Sequence, residues 1–186
     1  MGRNIASEKN GSVKKRANKR QGEKDMDLKR INVVEAGHIT EVYGPVQALR
    51  NYMKKRAGDF VFVTHPFSYT GIDGTRVEHY ENGKNIKTEK GHKRSKNQML
   101  QWARDFFFNN KFLKEKGKTG LFIGVDNLNA LSGIIMKKRG RIDKVVYYII
   151  DHMDRRFKNP IFNFIYETID KIACEKSDYV LSLIHI

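Results

Sequence analysis

From Val145 to Ile150 the chain runs Val-Val-Tyr-Tyr-Ile-Ile, six apolar or aromatic residues in succession. It then turns polar at Asp151-His152-Met153-Asp154-Arg155-Arg156. Successive side chains of a strand point to opposite faces, so a run of this kind is apolar on both. It fits a strand buried inside a parallel sheet with helices above and below. The polar residues at its C-terminal end occupy the place where an open α/β sheet puts its ligand chemistry.

The segments around this strand alternate in the same sense. Ile31–Ile39 reads as a strand and Thr40–Gly44 as a loop, and Pro45 suits the first turn of a helix, where its missing N–H costs nothing. Val46, Leu49, Tyr52 and Met53 recur at helical spacing in a helix ending near Arg56, and Phe60–His65 is the next strand, stopped by Pro66. Thr75–Tyr80 and Asn85–Thr88 flank Asn82-Gly83, a strong signal for a tight hairpin. A helix over roughly 96–114 follows, then a strand at Gly120–Val125 and a helix near Leu128–Lys138. Beyond the opening strand come a helix near Pro160–Glu175 and a last strand from Tyr179. Strands alternating with helices predict an α/β fold, a Rossmann-like, doubly wound and mostly parallel sheet with a β-hairpin insertion.

The helix at 96–114 carries Trp102 and Phe106-Phe107-Phe108 among Lys96, Arg104, Lys111 and Lys114. Its aromatics are too many for one helix face and are expected on the core face with some spillover, with docking on an anionic bilayer as the alternative. Cys174 is the chain's single cysteine and is expected to be buried in a helical Ile-Ala-Cys run. One thiol permits no intrachain disulfide, which fits a reducing compartment.

The formal net charge is +15. Residues 1–30 hold ten Lys/Arg against four Asp/Glu and almost no aliphatic side chains, so they are expected to form a disordered basic tail. Residues 31–186 form the folded domain, which is expected to be the truncated N-terminal part of something longer because it stops on an apolar strand. Basic character in tail and body alike favours phosphates, anionic headgroups or nucleic acid. No stretch reaches the roughly 20 apolar residues of a membrane span. The polar start, Met1-Gly-Arg-Asn-Ile, lacks the apolar centre of a secretory signal.

In a doubly wound sheet the loops at the strand C-termini share one rim. The first loop brings Gly37, His38, Glu41, Tyr43 and Gly44, and the second brings His65. Later loops bring Asp126 and Asn127, then Asp151, His152, Asp154, Arg155 and Arg156, and finally Ser182. Imidazoles exchange protons near neutral pH and guanidinium grips phosphate bidentately, so this rim suits a hydroxylated, phosphate-bearing ligand. Asp126-Asn127 also reads as a helix cap, and Asp151 as a local loop contact. His38 and His65 also fit as buried, backbone-satisfied imidazoles, and Arg155-Arg156 as a solvated pair. No dinucleotide or P-loop glycine pattern, zinc-spaced Cys/His set or Gly-x-Ser-x-Gly elbow is present, so metal-free chemistry is expected.

Several segments together resemble the N-terminal domain of family-four-like glycosyltransferases. They are Gly37-His38 with Glu41-Val-Tyr-Gly-Pro45, Thr64-His-Pro-Phe67, and Phe122-Ile-Gly-Val-Asp-Asn-Leu-Asn-Ala-Leu131. The others are Tyr147-Tyr-Ile-Ile-Asp-His152, Arg156-Phe-Lys-Asn-Pro-Ile-Phe-Asn-Phe-Ile-Tyr166 and Ser177-Asp-Tyr-Val-Leu-Ser182. The resemblance spans roughly residues 31–182 and implies a GT-B enzyme with two Rossmann-like domains, of which the N-terminal one receives the acceptor. It implies that Gly37 and Gly44 approach the donor phosphates and that His152, with Asp151, faces the transferred sugar in a catalytic role. The first loop departs from the family pattern, with a single Gly before Pro45 in place of a Gly-Gly pair.

The function expected from the resemblance is the acceptor-binding half of a cytoplasmic glycosyltransferase, inactive without a donor domain. Its partners are a sugar nucleotide, as co-substrate and with no tightly bound cofactor, and a glycan or lipid-linked acceptor. Peripheral contact with an anionic inner membrane face is an option. The alternatives are a basic nucleic-acid-binding module, for which RNP-type and helix-turn-helix signatures are absent, and a flavodoxin-like small-ligand domain.

Overall fold

The computed structural model describes residues 27–40, 44–151 and 156–183. Its strands are β1 (Asn32–Ile39), β2 (Asp59–Pro66), β3 (Gly74–Glu81), β4 (Lys84–Lys93), β5 (Thr119–Val125), β6 (Ile142–Ile149) and β7 (Tyr179–Ser182). Its helices are α1 (Pro45–Met53), α2 (Gln98–Lys116), α3 (Asn127–Lys138) and α4 (Pro160–Lys176). One sheet runs in the order β4-β3-β2-β1-β5-β6-β7. β2, β1, β5, β6 and β7 are parallel, while β3 and β4 add antiparallel beyond β2. This is the Rossmann-like α/β fold that the alternation of strands and helices predicts, hairpin included.

The hairpin turns at Asn82-Gly83, whose φ angles of 48° and 83° are both positive, as a type I′ turn requires. Glycine at the second position meets that demand without steric cost. The tail expected over residues 1–30 falls mostly outside the described residues. Leu28–Arg30 of it form a single 3-10 turn capped by Asp27, and Leu28 packs on the core.

The sheet is covered unequally. Val33, Phe60, Phe62, Ile123 and Val125 on one face pack with Val46 and Met53 of α1. On the other, Val34, Val61, Val63, Phe122 and Val145 pack with Leu113 of α2 and Ile134 and Met136 of α3. Side by side, α2, α3 and α4 cover that second face. Two glycines permit its close approach. A Cβ on Gly124 of β5 would lie 2.3 Å from the backbone nitrogen of Ala130, and one on Gly133 of α3 would lie 2.4 Å from the Phe122 ring.

Two expectations about packing are corrected. Cys174 is exposed, because α4 buries only its neighbour Ala173 and leaves Ile161, Phe164 and Ile165 outward. The residues that α2 buries are Gln101, Asp105, Asn109 and Leu113, so three of its four fully buried positions are polar. Phe108 and Phe112 do reach the core, and Phe107, 70% exposed, spills over as the sequence leads one to expect. Among the described residues no helix is long and apolar enough to cross a membrane.

Glu35 of β1 is fully buried under α1, and neither carboxylate oxygen has a hydrogen-bond partner among the described residues. Burial pushes its pKa well up, against a smaller opposing pull from Arg50. A buried polar group without partners costs about 1–3 kcal/mol, so Glu35→Met should raise stability by a similar amount in denaturant titration. Gly124→Ala should lower it by about 1–3 kcal/mol by forcing α3 off the sheet.

Candidate ligand cleft and its buried histidine network

In open α/β sheets ligands bind outside the strand C-termini where the strand order reverses. Here that point lies between β1 and β5. β1 leads into α1 on one face, and β5 leads into α3 on the other. A cleft of about 320 Å³ opens there. Its walls come from the end of β1 (His38, Ile39), the start of α1 (Gly44, Pro45), the end of β5 and the residue after it (Val125, Asp126) and the segment after β6 (Ile150, Asp151), together with Arg156 and Tyr166.

His38 forms the back of the cleft and the front of a larger polar network. Its Nδ1 lies 2.6 Å from Asp126 Oδ2, and its Nε2 lies 3.1 Å from Asp105 Oδ2. Burial alone would depress the imidazole pKa. The Asp126 charge and hydrogen bonds to Asp105 and Asp126 together outweigh burial and push it up to about 9. At neutral pH His38 is therefore an imidazolium donating both N–H groups to carboxylates. With no free nitrogen it serves as a fixed positive charge, and a general base would have to be found elsewhere.

Behind it a polar row crosses four strands, because His38 and His65 are paired in register and Thr75 and His92 continue the line on β3 and β4. Asp105 of α2 gathers the row. His65 Nδ1 lies 3.1 Å and His92 Nε2 2.8 Å from its Oδ1, which also accepts from Gln101 Nε2 at 2.8 Å. Burial would raise the Asp105 pKa, but hydrogen bonds from His38, His65 and His92 hold it far below the ordinary carboxylate range. The row then closes on itself. Asn109 donates to Asn129 at 2.6 Å, and Asn129 donates to Asp126 at 2.8 Å.

Asp126 has two duties. Its Oδ1 caps α3 by accepting from the Asn129 backbone N–H at 3.0 Å, as one reading of the sequence expects, while Oδ2 holds His38. Its backbone sits at φ 82° and ψ 162°, a region almost confined to glycine and costing about 1–3 kcal/mol. Strain of this kind clusters at functional sites, where surrounding contacts over-determine the residue.

The structure brings His38, Gly44, Asp126, Asn127, Asp151 and Arg156 to one cleft. His65 is instead fully buried behind His38, satisfied by Thr75 and Asn109. Gly37 is buried beneath α1, where a Cβ would meet Val125 and Val46 at 3.0 Å, so close packing accounts for it. Ser182, on β7, pairs with Ile149 of β6 and does not line the cleft. Glu41, Tyr43, His152 and Arg155 lie outside the described residues. Asp105, His92, Asn109, Asn129 and Tyr166 were not among the candidates. The available signal for α2 was the spacing of Gln101, Asp105 and Asn109, polar residues one turn apart along one helix face.

The folded pKa of His38, about 9, lies above its ordinary value of 6.5, so the folded state binds the extra proton. Its contribution to stability should be complete below about pH 6.5 and fade as pH rises through 9. Denaturant titrations between those values should show this slope, and Asp126→Asn should flatten it. No family model matches this chain, and no curated protein or solved structure matches it either, so its function is argued from the geometry of the site itself.

Proposed function

We propose that this domain is the acceptor-side half of a GT-B-type glycosyltransferase, moving a sugar from a sugar nucleotide to a glycan or lipid-linked acceptor. The observation that carries the reading is the cleft at the sheet's switch point, which combines a buried imidazolium, a guanidinium and an exposed carboxylate. The resemblance of residues 31–182 to glycosyltransferase N-terminal domains agrees with that placement.

In the transfer, an acceptor hydroxyl oxygen bonds to the anomeric carbon as the bond from that carbon to the nucleotide's diphosphate oxygen breaks. The hydroxyl proton must go to a base, and the leaving diphosphate gains negative charge. Asp151, at the open rim, is the described carboxylate suited to accept the hydroxyl's hydrogen bond, with His152 next in the chain. The His38 imidazolium supplies positive potential from behind, and Arg156 a phosphate-compatible cation in the cleft lining. A donor-binding domain facing this wall is required, and closure of the two would exclude water.

A flavodoxin-like ligand domain is the second reading, favoured by the parallel strand order β2-β1-β5-β6-β7. Supplied with a donor-binding domain of the GT-B class, the protein should transfer from a sugar nucleotide. Asp151→Asn and His152→Ala should each lower kcat/KM at least tenfold. Full activity in both variants removes these residues from the mechanism. Absence of transfer together with tight flavin binding establishes the second reading instead.

A further inference from the structure

Beside the polar cleft lies a second depression of about 370 Å³ with a different lining. It runs between α2, α3 and α4, and its walls are Trp102, Phe106, Leu131, Phe162, Ile165 and Ile169. The two cavities share His38, Phe67, Asp126, Asn127, Arg156 and Tyr166, so the apolar groove adjoins the polar cleft. The Arg156 guanidinium stands at that junction, over the rings of Trp102 at 5.9 Å and Tyr166 at 5.4 Å. Phe107 of the groove lining is 70% exposed.

We propose that the groove holds the hydrocarbon chain of a single-chain amphiphile whose phosphate head sits at Arg156, where groove and cleft meet. The size falls in the range of small-molecule sites, and a mostly apolar lining with a few converging polar groups is their usual composition. Aromatic and aliphatic walls leading to a single guanidinium match a molecule with a tail and an anionic head. Guanidinium is the side chain best fitted to a phosphate's paired oxygens. The basic tail at residues 1–26, with Ile5 and Val13 as its only branched aliphatics, has too few apolar side chains to cover the groove itself. If the proposed glycosyl transfer holds, this assigns the acceptor to the lipid phosphates. That last step rests on the transfer reading, and occupancy of the groove does not.

Trp102 is the chain's one tryptophan and lines the groove, so its fluorescence reports occupancy directly. Titration of the full chain with octyl, decyl and dodecyl phosphate, each below its micelle concentration, should give saturable blue shifts. Affinity should rise by up to about fourfold per added methylene. Inorganic phosphate and decyltrimethylammonium should bind at least tenfold more weakly than decyl phosphate. Arg156→Gln should weaken decyl phosphate at least fivefold. Ala103→Phe, placed at an exposed α2 position on the groove wall, should remove the chain-length dependence. The proposal is overturned by affinity independent of chain length or by equal binding of the cationic amphiphile. It is also overturned by a response to phospholipid vesicles alone, or by a concentration-dependent dimer that already shields Trp102. Amphiphile binding without sugar transfer would sink only the transfer reading, and transfer to a soluble glycan without amphiphile binding would sink only this inference.

Discussion

A carboxylate removed from water must be paired or neutralised, and Asp105 is paired by three imidazoles and an amide at once. Most of the site's geometry follows from that demand. The imidazoles come from β1, β2 and β4, so a single side chain ties α2 to the parallel strands and to the hairpin together. Because His38 must also satisfy Asp126, the same demand reaches α3 and sets the position of its first turn. A network of this kind is costly when partly satisfied and rigidifying when complete. The central links here are complete, which is how a non-glycine residue can persist at the Asp126 backbone conformation.

Much of the fold was legible in the sequence because the relevant signals are local. Apolar runs marked the strands, Asn82-Gly83 marked the hairpin, and Pro45 marked the start of α1. The orientation of α2 was not legible from its aromatics. Apolar periodicity assigns the aromatic side of a helix to the core, yet here the sheet ends in polar rather than apolar residues opposite α2. The buried side of the helix is polar to match. The imidazole partners of Asp105 lie 13, 40 and 67 residues away in the chain, so no window of helical length contains all three.

Part of the candidate site was legible for a topological reason. Once the parallel order is accepted, residues after each strand fall on one rim, which placed His38, Asp126, Asp151 and Arg156 together. The same logic misjudged His65. Being level with His38 in register put it in the same row, but α2 covers that end of β2. A strand end is open to a ligand only where no helix closes over it, and helix placement is a tertiary property.

The two edges of the sheet differ in chemistry. β4 exposes Lys84, Lys87, Lys90 and Lys93 along its length, while β7 exposes Tyr179, Val180 and Leu181. Closely spaced lysines repel a copy of themselves, so two molecules brought together at β4 would meet mostly like charges, relieved only at Glu89, which pairs with Lys87. The short β7 edge carries no such guard among its own residues. Of the two edges, only the described residues of β7 set no like-charge barrier against a further strand, on the side of the sheet away from the hairpin.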